Sequence, residues 1–503
     1  MTIDPRTPVV VGVGQCNQRS TPADARTPVE LFADAATLAG DDAGHGLLGR
    51  TDTVATVQIT SWPYADPSAA VARLLGLDVR HTVVSTVGGN SPQMLLNELG
   101  ARILRNDADV VLLGGGESMH ARWRARREPK VELDWPSYDD APCPDVLGND
   151  SMGTTDWEMA HGMLMPTAVY PLFETALRAK AGRSVDEHQQ FLGRLWSHFA
   201  AVAADNPHAW SRTPFTAEEI STVTPENRII SFPYTKRMVA NIDVDQAAAV
   251  LLCSYGTAKA AGVPDDQLVF FHAGAEAHDH WWISERDSIA RSVAIGATVH
   301  DTLRAAEVGL DEIARFDFYS CFPSAVELAL DALGLAGPDG GDTRPLTVTG
   351  GLNYAGGPSN NYSTHGVARM VELLRADPGS FGLTTALGWY ATKHAAGLWS
   401  TTPPRASAFR RVDHHDTQAV VDAQPSRVAA GAFDGPITVE GTSVTFERDG
   451  SPVGATVVGL ADDGRRVVAV TTDHATMREI CTDGWDHHRA EVHTNGTTNT
   501  VEG

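Results

Sequence analysis

Short apolar runs alternate with longer amphipathic stretches along most of the chain. The runs Val9–Val13, Val54–Ile59 and Asp109–Leu113 predict strands, because each is bounded by turn residues and is too short for a buried helix. Between them, Val29–Leu38 carries apolar residues at helical spacing and predicts a helix. Strands that alternate with helices favour a mostly parallel sheet with right-handed crossovers and helices on both faces.

The later part of the chain shows the same alternation. Leu268–Ala273, Arg315–Tyr319 and Leu383–Leu387 predict strands, and Ile289–Ala306 and Ser324–Leu333 predict helices. The two series therefore predict an α/β fold in which one unit is duplicated. The duplication is one of pattern, because the two halves have diverged beyond recognisable sequence identity.

Two glycine turns stand at matching places in the two halves. Gly88–Ser91 follows the strand-like run Thr82–Ser85 and precedes a predicted helix at Pro92–Leu104. Gly356–Asn361 follows the strand-like run Leu346–Thr349. Such a turn presents main-chain N–H groups at a helix N-terminus, where the helix dipole favours negative charge. Duplicated units would bring the two turns to one cleft at the carboxyl ends of the strands.

Several motifs of this chain resemble the thiolase superfamily. Gly114–Met119 is close to the family's Gly-Gly-x-Glu-Ser-Met, and Asp245–Leu252 is similar to its Asp-Gly-Ala-Ala-Ala strand. Gly350-Gly351 followed by Gly356–Pro358 matches Gly-Gly followed by Gly-His-Pro. The resemblance spans residues 8–400 and is nearest to the sterol-carrier-protein type thiolases and thiolase-like protein type 1. It implies a duplicated thiolase fold, with two mixed sheet halves in five layers.

The chain departs from the family at the residues that carry thiolase chemistry. Gly88 stands where the resemblance places the nucleophilic Cys, and Gly357 stands at the activating His. The second reactive Cys falls near Ala386, and the Asn-Glu-Ala-Phe or His-Asp-Cys-Phe segment begins here with Tyr319. Because glycine has no side chain that could form an acyl-enzyme, thiolysis by the usual route is not expected.

Three other side chains are candidates for chemistry at the same cleft. His365 lies in the helix after the second glycine turn, His394 follows Lys393 after the predicted last core strand, and Cys321 ends another strand. A histidine could serve as a general base, since its ordinary pKa is about 6.5. The alternative is structural, with satisfied histidines and a core cysteine. Main-chain amides near Gly88 and Gly388 are the candidate oxyanion donors.

Two functional hypotheses follow from the resemblance. One is an acetyl-CoA acetyltransferase-like enzyme of lipid or sterol metabolism, which acts on a coenzyme A thioester without acylating position 88. The other is a catalytically inactive module that binds acyl-coenzyme A or docks a partner enzyme. The loss of the family's nucleophile and base favours the second hypothesis on mechanistic grounds.

The stretch between the two halves resembles the thiolase loop domain, which in the family covers coenzyme A. Its helical patterns are Ala168–Lys180 and Val185–Asp205, the latter capped by Ser184. Clustered basic residues there predict contacts to the phosphates of the ligand, although a solvated loop is the alternative for His120–Lys130. The predicted contacts are Arg124, Arg126, Arg127, Lys236 and Arg237.

The end of the chain changes to short alternating strands joined by tight turns. The runs predict a small barrel of about five strands, similar to an oligonucleotide/oligosaccharide-binding fold, with a polar, frayed end from Asn495 onward. Its strands carry few basic or aromatic residues, so nucleic acid is not the expected partner. The predicted strands are 436–440, 443–447, 454–460, 466–471 and 490–493. The predicted divisions are 1–120 with 241–265, the loop domain 121–240, then 266–412 and 413–503.

The composition limits the partners and the cellular location that we expect. A net charge of −24 disfavours nucleic acid and anionic membrane surfaces, and neither a signal peptide nor a spanning segment is evident. The 5 scattered cysteines predict a reduced, cytoplasmic protein with no metal site and no covalently bound cofactor. Thiolases pair through the strand that corresponds to His81–Ser85. An added C-terminal barrel could cover that edge, so a monomer is expected, with a thiolase-type dimer as the alternative.

Overall fold

The computed structural model describes residues 3–127, 131–138 and 143–502. Its strands form one long mixed sheet and a second sheet, in which two short strands from the inserted segment pair with a barrel at the end of the chain. The strands are β1 (Pro8–Asn17), β2 (Thr53–Thr56), β3 (His81–Ser85), β4 (Val110–Ser118), β5 (Asp145–Leu147), β6 (Ile229–Phe232), β7 (Tyr234–Thr235), β8 (Asp245–Ser254), β9 (Val269–His278), β10 (Ile313–Asp317), β11 (Phe381–Gly388), β12 (Lys393–Ser400), β13 (Arg410–Arg411), β14 (Gly435–Phe446), β15 (Pro452–Ala461), β16 (Arg466–Thr471), β17 (Arg489–Thr494) and β18 (Asn499–Glu502).

The helices follow the predicted alternation with strands in both halves. They are α1 (Pro28–Ala43), α2 (Pro67–Leu75), α3 (Ser91–Leu104), α4 (Met119–Arg127), α5 (Asp156–Ala160), α6 (Pro166–Ala181), α7 (Val185–Asp205), α8 (Ala217–Ser221), α9 (Tyr255–Ala261), α10 (Val293–Ala306), α11 (Pro323–Leu333), α12 (Gly351–Tyr354), α13 (Tyr362–Ala376), α14 (His414–Asp422) and α15 (His474–Asp483).

The long sheet consists of two halves that meet at one short strand pairing. The order β1–β8–β4–β2–β3–β5 forms the first half, and β10–β11–β12–β9 forms the second. Val9 and Val10 of β1 pair with Phe270 and Val269 of β9, which makes the two halves continuous. Parallel pairs such as β2–β3 and antiparallel pairs such as β4–β8 occur together, so the sheet is mixed.

Helices α3 and α13 lie between the two sheet halves. Leu95 and Leu99 of α3 share one buried cluster with Val367 and Met370 of α13. Strand residues from both halves, such as Trp399, belong to the same cluster. Helix α1 packs on the outer face of the first half, and α10 packs on that of the second. This sandwich is the predicted duplicated α/β fold, with the glycine turns at the N-termini of its central helices.

The C-terminal barrel closes through five strands. The order β14–β15–β16–β18–β17 returns to β14, and the β16–β18 pair is parallel. The first two predicted strands are one strand here, which bends at a register shift between Val439 and Gly441. The prediction of a frayed end was wrong. Asn499 is buried and Val501 packs into the barrel core, so β18 completes the barrel.

Three predicted elements of the long sheet differ from the structure. The strand predicted at Asp109–Leu113 is longer, since it continues through Gly114–Ser118 as β4, whose glycines let Phe32 and Asn361 approach the backbone closely. Leu346–Thr349 is not a strand, although Leu346 accepts a hydrogen bond from Phe318. Lys393 and His394 do not follow the last core strand. They begin β12, which lies between β11 and β9.

The edge strand β3 is covered by β5. Val83, Val84 and Ser85 pair in parallel register with Asp145, Val146 and Leu147. The covering strand therefore comes from the segment between the two halves, whereas the sequence pointed to the C-terminal barrel. Within the residues that the structure describes, no helix is both long enough and apolar enough to span a membrane.

Candidate functional site

The two glycine turns are joined directly by a hydrogen bond. The main-chain N–H of Gly88 donates to Asn360 Oδ1 at 2.9 Å. The Asn360 amide in turn donates to the carbonyl of Gln58 at 2.9 Å. The predicted approach of the two turns is thus confirmed. The Gly88 N–H is occupied by this bond, so it faces a side-chain amide and not an open oxyanion position.

Gly88 has a backbone conformation and surroundings that exclude a side chain. Its φ is +152°, a value that residues with a Cβ rarely adopt. A Cβ there would lie 2.4 Å from Asn90 Oδ1 and 3.0 Å from Lys393 Nζ. A Cβ on Gly388 would lie 2.4 Å from the same Asn90 oxygen and 3.1 Å from Lys393 Cε. Glycine at both positions therefore makes room for the lysine side chain.

Lys393 is almost completely buried at this point. Only 5% of the residue is exposed, and its Nζ donates to the carbonyls of Val87 at 2.6 Å and Asn149 at 3.0 Å. Burial lowers its pKa to about 8, because desolvation disfavours the charged ammonium. A lysine amine thus lies where the family resemblance placed a cysteine thiol.

Tyr319 packs against the first glycine turn at Gly89. A Cβ on Gly89 would lie 2.1 Å from the Tyr319 hydroxyl oxygen and 2.5 Å from the carbonyl oxygen of Leu387. The Tyr319 ring also packs edge-on against Tyr362, with ring centroids 5.5 Å apart. Burial raises the pKa of Tyr319 above its ordinary value, so the phenol is neutral. A bulky phenol therefore occupies the position that the resemblance assigns to the family's Asn or His.

Gly357 has more room than Gly88. Its N–H donates to the carbonyl of Asn241 at 2.8 Å. A Cβ there would lie 3.3 Å from that carbonyl oxygen and 3.5 Å from Leu352. Ala386, near which the resemblance places the second reactive cysteine, is buried in the central apolar cluster. Neither residue offers a group for proton transfer.

His365 is buried within the central layer. Its Nδ1 lies 2.9 Å from Gln15 Oε1, and its Nε2 has no hydrogen-bond partner. Burial lowers its pKa to about 3, with a smaller contribution from His208. A neutral imidazole of such low basicity is poorly suited to accept a proton from a substrate.

His394 and Cys321 have partners of their own. His394 Nε2 lies 3.0 Å from the carbonyl of Ala391 and 3.6 Å from the Asp279 carboxylate. The Cys321 carbonyl accepts from the N–H of Ala240, and burial raises the pKa of its thiol to about 12. Among the described residues, no hydrogen bond or ion pair joins any two of His365, His394 and Cys321.

A cavity of about 740 Å³ lies between the inserted segment and the second glycine turn. Its inner wall includes Asn241, whose carbonyl accepts the Gly357 N–H. Its apolar wall is aromatic, with Trp123, Trp210, Phe215 and Tyr354. The predicted basic pair Lys236 and Arg237 lines this cavity, and the Arg237 guanidinium lies 4.2 Å from the centre of the Phe215 ring.

A neighbouring cavity of about 520 Å³ extends the basic wall. It shares Arg228 and Lys236 with the larger cavity and adds Arg127 and Arg448. Of the other predicted phosphate contacts, Arg124 lies on the same helix and reaches the carbonyl of Ser20 at 3.5 Å, and Arg126 is exposed. Lys130, at the end of the predicted basic segment, lies outside the described residues.

The comparisons with known proteins identify the family. Residues 416–497 match the model of the thiolase-like protein type 1 additional C-terminal domain. The structure superposes on a crystal structure of a monomeric SCP2-thiolase-like protein type 1 from Mycobacterium smegmatis with a TM-score of 0.85. That protein is 34% identical, and 100% of each chain is covered. The chain belongs to the SCP2-thiolase-like proteins of type 1.

More distant thiolases share the fold of this thiolase-like protein. The dimeric peroxisomal thiolase of Saccharomyces cerevisiae is 14% identical with a TM-score of 0.55, covering 79% of this chain and 98% of that one. The acetyl-CoA acetyltransferase from Syntrophomonas wolfei is 17% identical with a TM-score of 0.55, covering 78% and 99%. No curated protein sequence matches the chain significantly. At these identities the likeness shows the thiolase fold alone.

Another polar cluster of the thiolase-like protein is buried among α6, α7 and α11. His188 Nε2 lies 2.8 Å from Glu174 Oε1, and Glu327 completes a group whose ligand atoms lie within 4.8 Å. Arg183 donates to both His188 and Glu327, which places a positive charge beside the group. Burial raises the pKa of Glu327 well above its ordinary value, so its carboxyl group holds a proton. This arrangement favours a hydrogen-bonded cluster over a cation site.

The sequence left open whether Lys393 faces water or a phosphate, and its burial against the Gly88 turn was not predicted. The sequence held only an indirect sign of this contact. The sign is the combination of glycine at positions 88 and 388 with a lysine on the strand that pairs with residue 388. Gly388 and Lys393 are paired across the β11–β12 hairpin. Gly88 and Lys393 were each singled out in the sequence, but their contact was not predicted.

Proposed function

We propose that this thiolase-like protein binds coenzyme A thioesters in the cavity of about 740 Å³, and that it does not perform cysteine-dependent thiolysis. The observation that best supports this proposal is the positive charge around that cavity and its neighbour. Basic side chains outnumber acidic ones there, although the whole chain has a net charge of −24. The basic residues are Arg127, Arg228, Lys236, Arg237 and Arg448, and the acidic ones are Glu226 and Asp243.

The local positive charge fits the phosphates of coenzyme A. Guanidinium groups donate paired, charge-assisted hydrogen bonds to phosphate, and Lys236 adds an exposed ammonium. The aromatic side chains Trp123, Trp210 and Phe215 give flat surfaces on which a purine base stacks. This combination of a basic rim and an aromatic wall favours a ligand that contains a nucleotide, such as coenzyme A, over a free fatty acid.

The inner end of the cavity supports a thioester near the second glycine turn. Asn241 and Ala240 both line the cavity. The Asn241 carbonyl accepts a hydrogen bond from the Gly357 N–H, and the Ala240 N–H donates one to the Cys321 carbonyl. A pantetheine arm that passed these residues would bring its sulfur towards the predicted reaction centre. The centre itself has Gly88 in place of a thiol, which supports binding without acyl transfer to that position.

The hypothesis of an active acetyltransferase has less support from the site. His365 has a pKa of about 3, and the Gly88 N–H already donates to Asn360. The likeness to SCP2-thiolases motivates an acyl group of lipid or sterol origin. The predicted cytoplasmic location, and the domain divisions at 120, 240, 265 and 412, stay predictions.

Calorimetric titration tests the proposal. Acetyl-coenzyme A, coenzyme A and dephospho-coenzyme A are titrated into the wild type and into the variants Lys236→Ala and Arg237→Ala. Each variant should weaken coenzyme A roughly 3- to 10-fold, since one charge-assisted contact is lost. Higher salt should reduce the difference from the wild type.

Arg478→Ala provides a matched control. Arg478 is exposed on α15 of the barrel and lines neither cavity, so its removal should leave the affinity unchanged. The proposal fails if the wild type binds none of the three ligands, or if all three variants weaken binding equally.

A further inference from the structure

A second cavity, of about 340 Å³, shares no lining residue with the coenzyme A cavity. Lys393 and Asn90 lie on its wall beside the Gly88 turn, and Leu147 at the end of β5 closes another side. The exposed His414 stands at its rim. The cavity therefore gives solvent molecules a route to a lysine that is otherwise buried.

Lys393 reaches this cavity without an ion-pair partner. Its Nζ donates to the two main-chain carbonyls described above. Among the described residues, no carboxylate lies within salt-bridge distance of this amine. The acids on the cavity wall, Glu98 and Glu276, are both paired with Arg411. The ammonium is thus held by neutral carbonyls, which stabilise it less than a carboxylate would.

Asn90 gives a second indication, independent of Lys393, that this cavity binds a ligand. The residue is 8% exposed, and its Oδ1 is buried without a hydrogen-bond partner. That oxygen lies beside the Lys393 side chain, since both crowd the same added Cβ on Gly88. A buried amide oxygen without a donor is costly, and a ligand hydroxyl or N–H in the cavity would satisfy it.

We propose that the second cavity binds a small ketone or aldehyde, and that Lys393 Nζ forms an imine with its carbonyl carbon. The neutral amine donates its lone pair to the carbonyl carbon, the nitrogen gives up one of its two protons, and the carbonyl oxygen takes up one proton, which gives a neutral carbinolamine. The nitrogen then expels that hydroxyl as water with a second proton, which leaves a protonated imine. One water is released, and no oxidant or reductant is needed.

The surroundings of Lys393 suit both steps. Burial lowers the pKa of Lys393 to about 8, against a smaller opposing effect of Asp150, so about a tenth of the amine is neutral at pH 7. The carbinolamine hydroxyl is the donor that Asn90 Oδ1 lacks. His278 Nδ1 lies 2.9 Å from the Asp279 carbonyl, which can only accept a hydrogen bond, so Nε2 is the nitrogen left to accept a proton. The titratable and charged groups on the cavity wall besides Lys393 are Glu98, Glu276, His278, His394, Arg411 and His414.

Reductive trapping tests the proposal directly. The full-length protein is incubated at pH 7 with acetoacetate, or with acetone as an uncharged probe, in the presence of cyanoborohydride. Lys393 should be labelled at least about tenfold faster than Lys259, whose amine is exposed and ion-paired with Asp265. Peptide mapping resolves every adduct, because the chain has only 5 lysines, which are Lys130, Lys180, Lys236, Lys259 and Lys393.

Two variants separate the proposal from general lysine reactivity. Lys393→Arg should abolish the fast adduct, and the matched Lys259→Arg should leave it unchanged. Because Lys393→Arg could disturb folding, the ratio of labelling rates within the wild type is the deciding measurement. Adducts distributed according to exposure, or none at Lys393 with either probe, would overturn the proposal. Coenzyme A binding is measured separately, because it depends on the other cavity.

Discussion

The main-chain N–H of Gly88 donates a hydrogen bond to Asn360 Oδ1 across 272 residues of sequence. This single contact ties the glycine turn of the first half to that of the second. In the same place, Lys393 and Asn90 occupy the volume that a side chain at 88 would need. The centre of the duplicated fold is therefore built around the absence of a side chain at Gly88.

Replacing Gly88 by Cys should not create a thiolase. The new Cβ would lie 2.4 Å from Asn90 Oδ1 and would require a φ of +152°. We expect the Gly88→Cys protein to lose about 2–4 kcal/mol of unfolding free energy in urea titrations, because of backbone strain and overpacking. Acetoacetyl-coenzyme A thiolysis should stay at background.

Gly357→Ala is the matched control for this substitution. A Cβ at 357 meets only atoms at 3.3 Å or beyond, so we expect a loss below about 1 kcal/mol. The double variant Gly88→Cys with Gly357→His should also be inactive. Robust thiolysis by the single or the double variant would show that the turn can adopt the conformation of a reactive thiolase.

The fold could be predicted from sequence wherever the signal is local. Ser184 begins α7 with the predicted cap, because its side chain and Glu187 exchange hydrogen bonds with the backbone. Strand β12 was missed because Lys393–Ser400 begins with two polar residues that the structure buries. Strand β18 was missed because its polar Asn499 is buried with distant partners, its side-chain amide donating to the Gly431 and Val468 carbonyls and its main-chain N–H to His161.

The site was less accessible to sequence reasoning than the fold. Lys236 and Arg237, which line the larger cavity, were predicted as ligand contacts because a basic pair stands out on an acidic chain. The contact between Lys393 and Gly88 depends on strand register and on a glycine backbone angle, neither of which leaves a local pattern. His365 looked like a base because burial and its partner Gln15 cannot be read from a helix alone.

Acid should destabilise the protein through His365. Its pKa is about 3 in the folded state, whereas a histidine in an unfolded chain titrates near about 6.5. Below about pH 6.5 the unfolded state binds a proton that the folded state does not. The free energy of unfolding therefore falls as pH is lowered, by about 2 kcal/mol from this group at pH 5.

The variant His365→Gln isolates that contribution. Its unfolding free energy should fall less between pH 7.5 and pH 5 than that of the wild type, by about 2 kcal/mol. His45 is exposed, so His45→Gln should reproduce the wild-type dependence. Equal slopes for wild type and His365→Gln would mean that His365 is protonated in the folded protein.

The strand β5 should keep the protein monomeric. It pairs with β3 through Val84 and Val146, and the N–H of Thr86 donates to the Leu147 carbonyl at 2.8 Å. Proline at 146 removes a main-chain donor and disfavours the strand. Light scattering should give one chain mass for the wild type and a concentration-dependent increase for Val146→Pro, because the β3 edge is exposed.

Val146→Thr is the control for edge protection, since threonine keeps both the N–H and the preference for strands. It should scatter as the wild type does. A wild-type protein with twice the chain mass, or a Val146→Pro protein that stays monomeric at all concentrations, would refute protection by β5.

Arg466 should be needed to hold the barrel against the second half. It is 1% exposed and donates to Glu440 at 2.9 Å, to the carbonyl of Ile283 at 3.0 Å and to that of Asp287 at 3.2 Å. Arg466→Met would remove the donor to the Glu440 carboxylate at this junction, whereas the Ile283 and Asp287 carbonyls would keep their bonds from the Arg286 N–H and from Arg427. We expect a loss of about 2–4 kcal/mol in unfolding free energy, measured in urea with separate probes of the barrel and the long sheet.

The adjacent Arg465 gives the sharpest comparison for this test. It is half-exposed, pairs with Asp463 and lies 5.6 Å from the centre of the Phe433 ring, so Arg465→Met should change stability by less than about 1 kcal/mol. The two variants remove the same charge one residue apart, and they differ in burial and in partners. If Arg466→Met unfolds like Arg465→Met, Arg466 is not needed to hold the barrel. If the barrel of Arg466→Met unfolds before the long sheet, the arginine couples the two parts of the fold.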